Sequence, residues 1–101
     1  MLHWHAVDAE SFPVETPSEP TMTKSAFSPK MVYTQADIQA VVEYAHDRGV
    51  EVIFEIDVPG HAAGWALGKP EIMADCMVKY SYNINDFALD VSLDETYTTL
   101  Q

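Results

Sequence analysis

Basic residues are scarce. Lys and Arg together number five against sixteen Asp and Glu, a formal net charge of −11 over 101 residues. Nucleic acids and anionic membrane surfaces call for basic patches, so the deficit argues against both as partners. The acidity names no partner in turn, because surface acids serve solubility. Cysteine is almost absent: Cys76 stands alone, which rules out a disulfide within the chain. No apolar run approaches the roughly 18 residues that a membrane-spanning helix needs. Met1 runs straight into Leu2-His3-Trp4-His5, with neither the basic region nor the long apolar stretch of a secretory leader. Internal repeats and low-complexity segments are missing too. What remains is core material. A hydrophobic fraction of 48% excludes compositional disorder, and the length suits one small domain or part of a large one.

The stretch from Glu51 to His61 organises the rest. Val50, Val52, Ile53, Phe54, Ile56 and Val58 are β-branched or aromatic, with acids set between them. So apolar a run predicts a strand buried on both faces, as in a parallel sheet. Pro59 cannot donate to a ladder and Gly60 permits positive φ, so the strand should stop there. That stop places Asp57 and His61 at the strand's carboxyl end, where α/β sheets and barrels bind ligands.

Met1 to Val7 reads as an earlier strand, closed by Asp8, with His3 and His5 two residues apart and therefore on one face. Ala9 to Met31 carries Pro13, Pro17, Pro20 and Pro29, and forms a long loop. Phe12, Met22 and Phe27 should pack it against its surroundings. Thr34 with Asp37 three residues on is a helix start, and Ile38, Val41, Val42 and Ala45 then form one apolar stripe. His46 falls off that stripe, as a surface residue. Arg48 suits the helix C-terminus and Gly49 the cap beyond it. The order strand, loop, helix, strand predicts a βαβ unit with a right-handed crossover. Between Ala62 and Asp90, Gly64, Gly68 and Pro70 interrupt the pattern. Ser92 to Glu95 reads as a second capping box, opening a helix through Tyr97 and Leu100. Trp4 and Trp65 are expected to pack rather than to stack on a ligand.

Three segments together resemble one family. Leu2-His3-Trp4-His5-Ala6-Val7-Asp8 with Ser11-Phe12-Pro13 is similar to the second-strand segment of glycoside hydrolase family 20, the β-N-acetylhexosaminidases. Tyr33-Thr34 through Arg48-Gly49 is similar to the helix that follows, and Glu55 to Ala62 with Trp65 to the third-strand segment. Leu89-Asp90-Val91 and Thr96-Tyr97 resemble the lead into the next helix. The resemblance implies an α/β fold: part of a (β/α)8 TIM barrel, strands two and three with the helix between them and the start of the next. On this reading residues 1–101 are a fragment of the catalytic barrel, truncated at both ends.

The family's activity would be removal of terminal N-acetylglucosamine or N-acetylgalactosamine from glycans, with no metal or organic cofactor. The substrate's own acetamido oxygen attacks the anomeric carbon. An aspartate orients that group and a neighbouring glutamate is the general acid, an exception to the two-carboxylate scheme of retaining glycosidases. The resemblance puts that Asp-Glu pair beyond Gln101, so the chain alone is expected to be inactive. It makes Asp8 and His61 supporting members of the catalytic machinery and, with Asp57 beside them, substrate-binding residues as well. Ala9 departs from the family, where an acid often follows the position of Asp8. A lysosomal or extracellular location is implied, with a glycan as substrate partner, no membrane insertion, and room for a homodimeric parent. In such a compartment Cys76 would pair with a cysteine beyond Gln101, the alternative being a buried free thiol. Two other readings stay open. His3 and His5 with Asp8 have the spacing of a zinc site in barrel metallohydrolases. The chain could also be a non-catalytic carbohydrate-binding remnant.

Overall fold

The computed structural model describes residues 1–75 and 88–101. Cys76, and with it the expected disulfide, lies outside the described residues. Strand β1 (Leu2–Val7) and strand β2 (Val52–Ile56) pair in parallel, with helix α1 (Gln35–His46) between them in the chain. The strand–loop–helix–strand order is therefore as expected.

Local chemistry sets the limits of α1. The Thr34 hydroxyl accepts from the Asp37 N–H at 3.2 Å, and the Asp37 carboxylate accepts from the Thr34 N–H at 2.9 Å, a complete capping box. At the other end Gly49 takes a φ of 67°, and Val50 N–H reaches back to the Ala45 carbonyl at 2.9 Å. That is a Schellman closure, and a residue without Cβ adopts it freely. Ala45 is buried and Ile38 packs at the edge of the core, whereas Val42 remains exposed. His46 points into solvent, as expected.

The core gathers around the carboxyl ends of the strands. Ala6 and Val7 of β1 meet Phe12, Val14 and Met22 of the long loop, and Ala62, Trp65, Ile72 and Leu89 from beyond β2. Phe12 and Trp65 pack edge to face at 5.0 Å. Trp4 packs against Tyr33 and Phe54, both at 5.2 Å. Phe27 breaks the expectation for the loop. It is 69% exposed, on the rim of an open cleft of about 560 Å³ that runs along β1.

Two further expectations are corrected. Strand β2 is not covered on both faces, since Ile53 and Ile56 are 45% and 43% exposed. Among the described residues β1 is the one strand it pairs with, and of its side chains Phe54 packs against the core. The capping box at Ser92 does not form either. Asp90 competes for Ser92 and accepts its N–H at 2.9 Å and its hydroxyl at 2.6 Å, a local Asx turn. Helix α2 (Asp94–Thr99) therefore starts behind Leu93 without a side-chain cap, and Glu95 turns to Lys69 instead.

Candidate functional site

Alternation along β1 puts His3 and His5 on one side, and the parallel register sets Glu55 of β2 opposite His5. Glu55 Oε1 meets His5 Nδ1 and Glu55 Oε2 meets His3 Nε2, so one carboxylate bridges two imidazoles. The register then slips between His5 and Val7, and Val7 pairs with Ile56. In a regular strand Asp8, three residues after His5, would face the opposite way. The bulge inserts one residue, reverses the alternation and returns Asp8 to the side of His5. His5 Nε2 and Asp8 Oδ2 are 2.8 Å apart.

The chain turns sharply after Asp8. Asp8 and Ser11 exchange backbone hydrogen bonds of 3.2 Å, and the Ala9 N–H donates to Asp8 Oδ1 at 2.5 Å. The buried Gly64 lies against this turn so closely that a Cβ there would stand 2.6 Å from the Asp8 carbonyl oxygen. The second arm comes from the end of β2. Sequence reasoning assigns the positive φ of that turn to Gly60, but His61 carries it, at 53°. Histidine is among the side chains that tolerate this region, and a non-glycine residue held there is often part of a functional site. The segment is pinned by the Leu89 N–H on the Pro59 carbonyl at 2.8 Å and by the fully buried Ala62. His61 Nδ1 then reaches Asp8 Oδ1 at 3.2 Å. A carboxylate only accepts, so Nδ1 carries the proton and Nε2 faces away from Asp8.

The result is an unbroken series, His3, Glu55, His5, Asp8 and His61, that is open to solvent and runs along one side of the strand pair from near the start of β1 to Asp8 and His61 just past the carboxyl ends. Its charges stabilise one another. The hydrogen bond from His5, then that from the Ala9 N–H, then His61, holds the Asp8 carboxyl down at about 2. Asp8 first and Glu55 second push His5 above its ordinary value of 6.5. His5 and then His3 lower Glu55.

Asp8 and His61 are thus brought together as expected. Asp57 lies beside a different part of the series, with its carboxylate within 4.8 Å of ligating atoms of His5 and Glu55. Among the described residues the grouping that could hold a metal is accordingly His5, Glu55 and Asp57, rather than His3, His5 and Asp8. In the arrangement seen, both His5 nitrogens are directed at carboxylates, which leaves that ring no lone pair to offer a cation. Sequence reasoning missed Glu55 as a site residue. Its signal is a carboxylate inside an apolar strand, opposite a strand with histidines at i and i+2.

The family model for the catalytic domain of glycosyl hydrolase family 20 matches residues 1–101. The chain is 50% identical over 100 residues to beta-hexosaminidase subunit A1 of Dictyostelium discoideum, covering 99% of this chain and 19% of that protein. Among solved structures, the chitobiase of Flavobacterium johnsoniae aligns with a TM-score of 0.77 at 36% identity, over 97% of this chain and 15% of that one. The GH20 beta-N-acetylhexosaminidase of Streptomyces coelicolor A3(2) aligns with a TM-score of 0.79 at 27% identity, over 98% and 22%. The chain spans about a fifth of the length of these relatives. Match, identity and shared backbone agree, and the chain belongs to the catalytic domain of glycosyl hydrolase family 20.

Proposed function

We propose that residues 1–101 form part of the (β/α)8 barrel of a β-N-acetylhexosaminidase, contributing its second and third strands and the supporting half of its active site. Family membership supports the reading, and so do the parallel β1–α1–β2 unit and the exposed apolar residues Ile53 and Ile56, which further barrel elements would cover. The substrates would be glycans ending in N-acetylglucosamine or N-acetylgalactosamine. A lysosomal or extracellular location and a homodimer belong to the same proposal and rest on the family resemblance.

The observation that carries the function is the pair Asp8–His61, 3.2 Å apart at the carboxyl ends of parallel strands. In the proposed reaction the acetamido oxygen of the substrate displaces the leaving group from the anomeric carbon, while a glutamate protonates the departing oxygen. That glutamate and the aspartate that orients the acetamido group would come from outside residues 1–101. This chain's part is to place an imidazole beside the acid. Asp8 fixes the Nδ1 proton and leaves His61 Nε2 to face the glutamate. A charge and hydrogen bond at that distance tune an acid's proton affinity, which governs general acid catalysis.

The full-length protein should hydrolyse a chromogenic N-acetylglucosaminide, and residues 1–101 alone should not. His61→Ala should lower kcat more than it raises KM, because the ring acts on the acid in the transition state rather than holding the sugar. Asp8→Asn should cost on the order of a hundredfold in kcat by loosening that ring. The double variant should be little worse than either single one, since the two act as a unit. Fully additive losses would show that they act independently, and turnover by the isolated chain would sink the assignment of the acid to another segment.

A further inference from the structure

We propose that Glu55 and His5 are positioning residues of this site, a charged brace that keeps the Asp8 carboxylate aimed at His61. The inference rests on the hexosaminidase reading for the reaction, and on the hydrogen-bond geometry for the brace itself.

His5 lies between two carboxylates, with Nδ1 on Glu55 and Nε2 on Asp8 at 2.8 Å. A neutral imidazole has one N–H and one lone pair, and a lone pair aimed at a carboxylate is repelled. Both contacts are satisfied together only when the ring carries both protons. Glu55 supplies the second negative charge that keeps them there, and its other oxygen is engaged by His3. The brace therefore presents a cation to Asp8 on the side away from His61. The charged groups around that ring are His3 and Asp8 from β1 and its turn, Glu55 from β2, Asp57 just past it, His61 on the other side of Asp8, and Glu10 and Lys30, which line the same cleft as His5. Of these, only Glu55 both contacts the ring and sits opposite it in the strand register.

A carboxylate with one donor swings about its Cβ–Cγ bond. Asp8 has three donors in different directions: Ala9 N–H, His61 Nδ1 and His5 Nε2. Without the third, Oδ2 is released and the plane of the group is no longer set. The His61 ring then keeps a partner but loses its orientation. Such a brace differs from a salt bridge that merely joins two strands, because its loss should reach turnover before it reaches folding or substrate affinity.

The test uses the full-length protein labelled with 15N-histidine. The His5 resonances, assigned by His5→Gln, should titrate with a midpoint above 6.5, and in Glu55→Gln the midpoint should fall. With an N-acetylglucosaminide substrate, Glu55→Gln should lower kcat by about tenfold to a hundredfold with KM within about twofold of wild type. A His5 midpoint at or below 6.5 in the wild type overturns the brace. So does a kcat for Glu55→Gln equal to wild type while His61→Ala is impaired. Should Glu55→Gln fail to fold, the wild-type titration alone decides. Absence of turnover by the wild type would defeat the hexosaminidase reading instead, and would leave the titration to judge the brace separately.

Discussion

Gly64→Ala is the sharpest way to move Asp8 without touching it. The added Cβ would stand 2.6 Å from the Asp8 carbonyl oxygen and 2.9 Å from the Ser11 carbonyl carbon, where ordinary contact begins near 3.4 Å. Both neighbours are backbone, so no side chain can rotate out of the way. The turn from Asp8 to Ser11 must retreat by about 0.8 Å, or the segment that carries Gly64 must. Overpacking of this kind costs about 1–3 kcal/mol of stability. The same displacement stretches a 3.2 Å hydrogen bond from His61 beyond useful range. A misplacement near 1 Å can cost on the order of a hundredfold in rate. Gly68→Ala is a matched control, because its Cβ would meet Met22 at 2.7 Å from Sδ and 2.8 Å from Cα, and its nearest neighbours include no atom of the Asp8 turn. Both variants of the full-length protein should lose melting temperature, and only Gly64→Ala should lose kcat on a chromogenic N-acetylglucosaminide. Equal kcat losses in the two would refute the argument that Gly64 positions Asp8.

Two other outcomes follow from the structure. Asp8 is held at about 2 in the folded chain against 3.8 unperturbed, so it contributes stability that is present above about 3.8 and lost as pH falls through 2. His5 is raised, so its contribution is complete below 6.5 and disappears as pH rises through its folded value. The melting-temperature gap between wild type and Asp8→Asn should accordingly be widest between about pH 4 and 6.5, and a gap indifferent to pH would contradict the ionic account. Thr34→Ala removes one half of the α1 capping box and should cost about 1 kcal/mol by thermal unfolding while leaving kcat alone; a large kcat loss would tie α1 to the site in a way its position does not suggest.

The readable parts of this chain are those decided by near neighbours. Thr34, Asp37 and Gly49 fix the ends of α1 through contacts a few residues apart, and their spelling suffices. Asp8 and His61 were legible as a pair only through the family resemblance, because 53 residues separate them. What escaped is set by pairing across the sheet or by competition for one partner. Ser92 has the spacing of a cap, yet Asp90 stands closer and takes its hydroxyl. Strand β2 has the composition of a buried strand, yet burial depends on the layers that surround it. Glu55 is the clearest case. In one dimension it is an acid interrupting an apolar run, and a solvated acid would look the same. Only the register His5↔Glu55 turns it into a counter-ion, and only the slip before Val7 brings Asp8 to the other side of the same ring. A bulge leaves no fixed mark in the residues that form it, since Ala6 and Val7 would suit a regular strand equally well. The consequence is that the carboxylate best placed to hold this site together belongs to the strand rather than to the loops, on an element more rigid than the turns it braces.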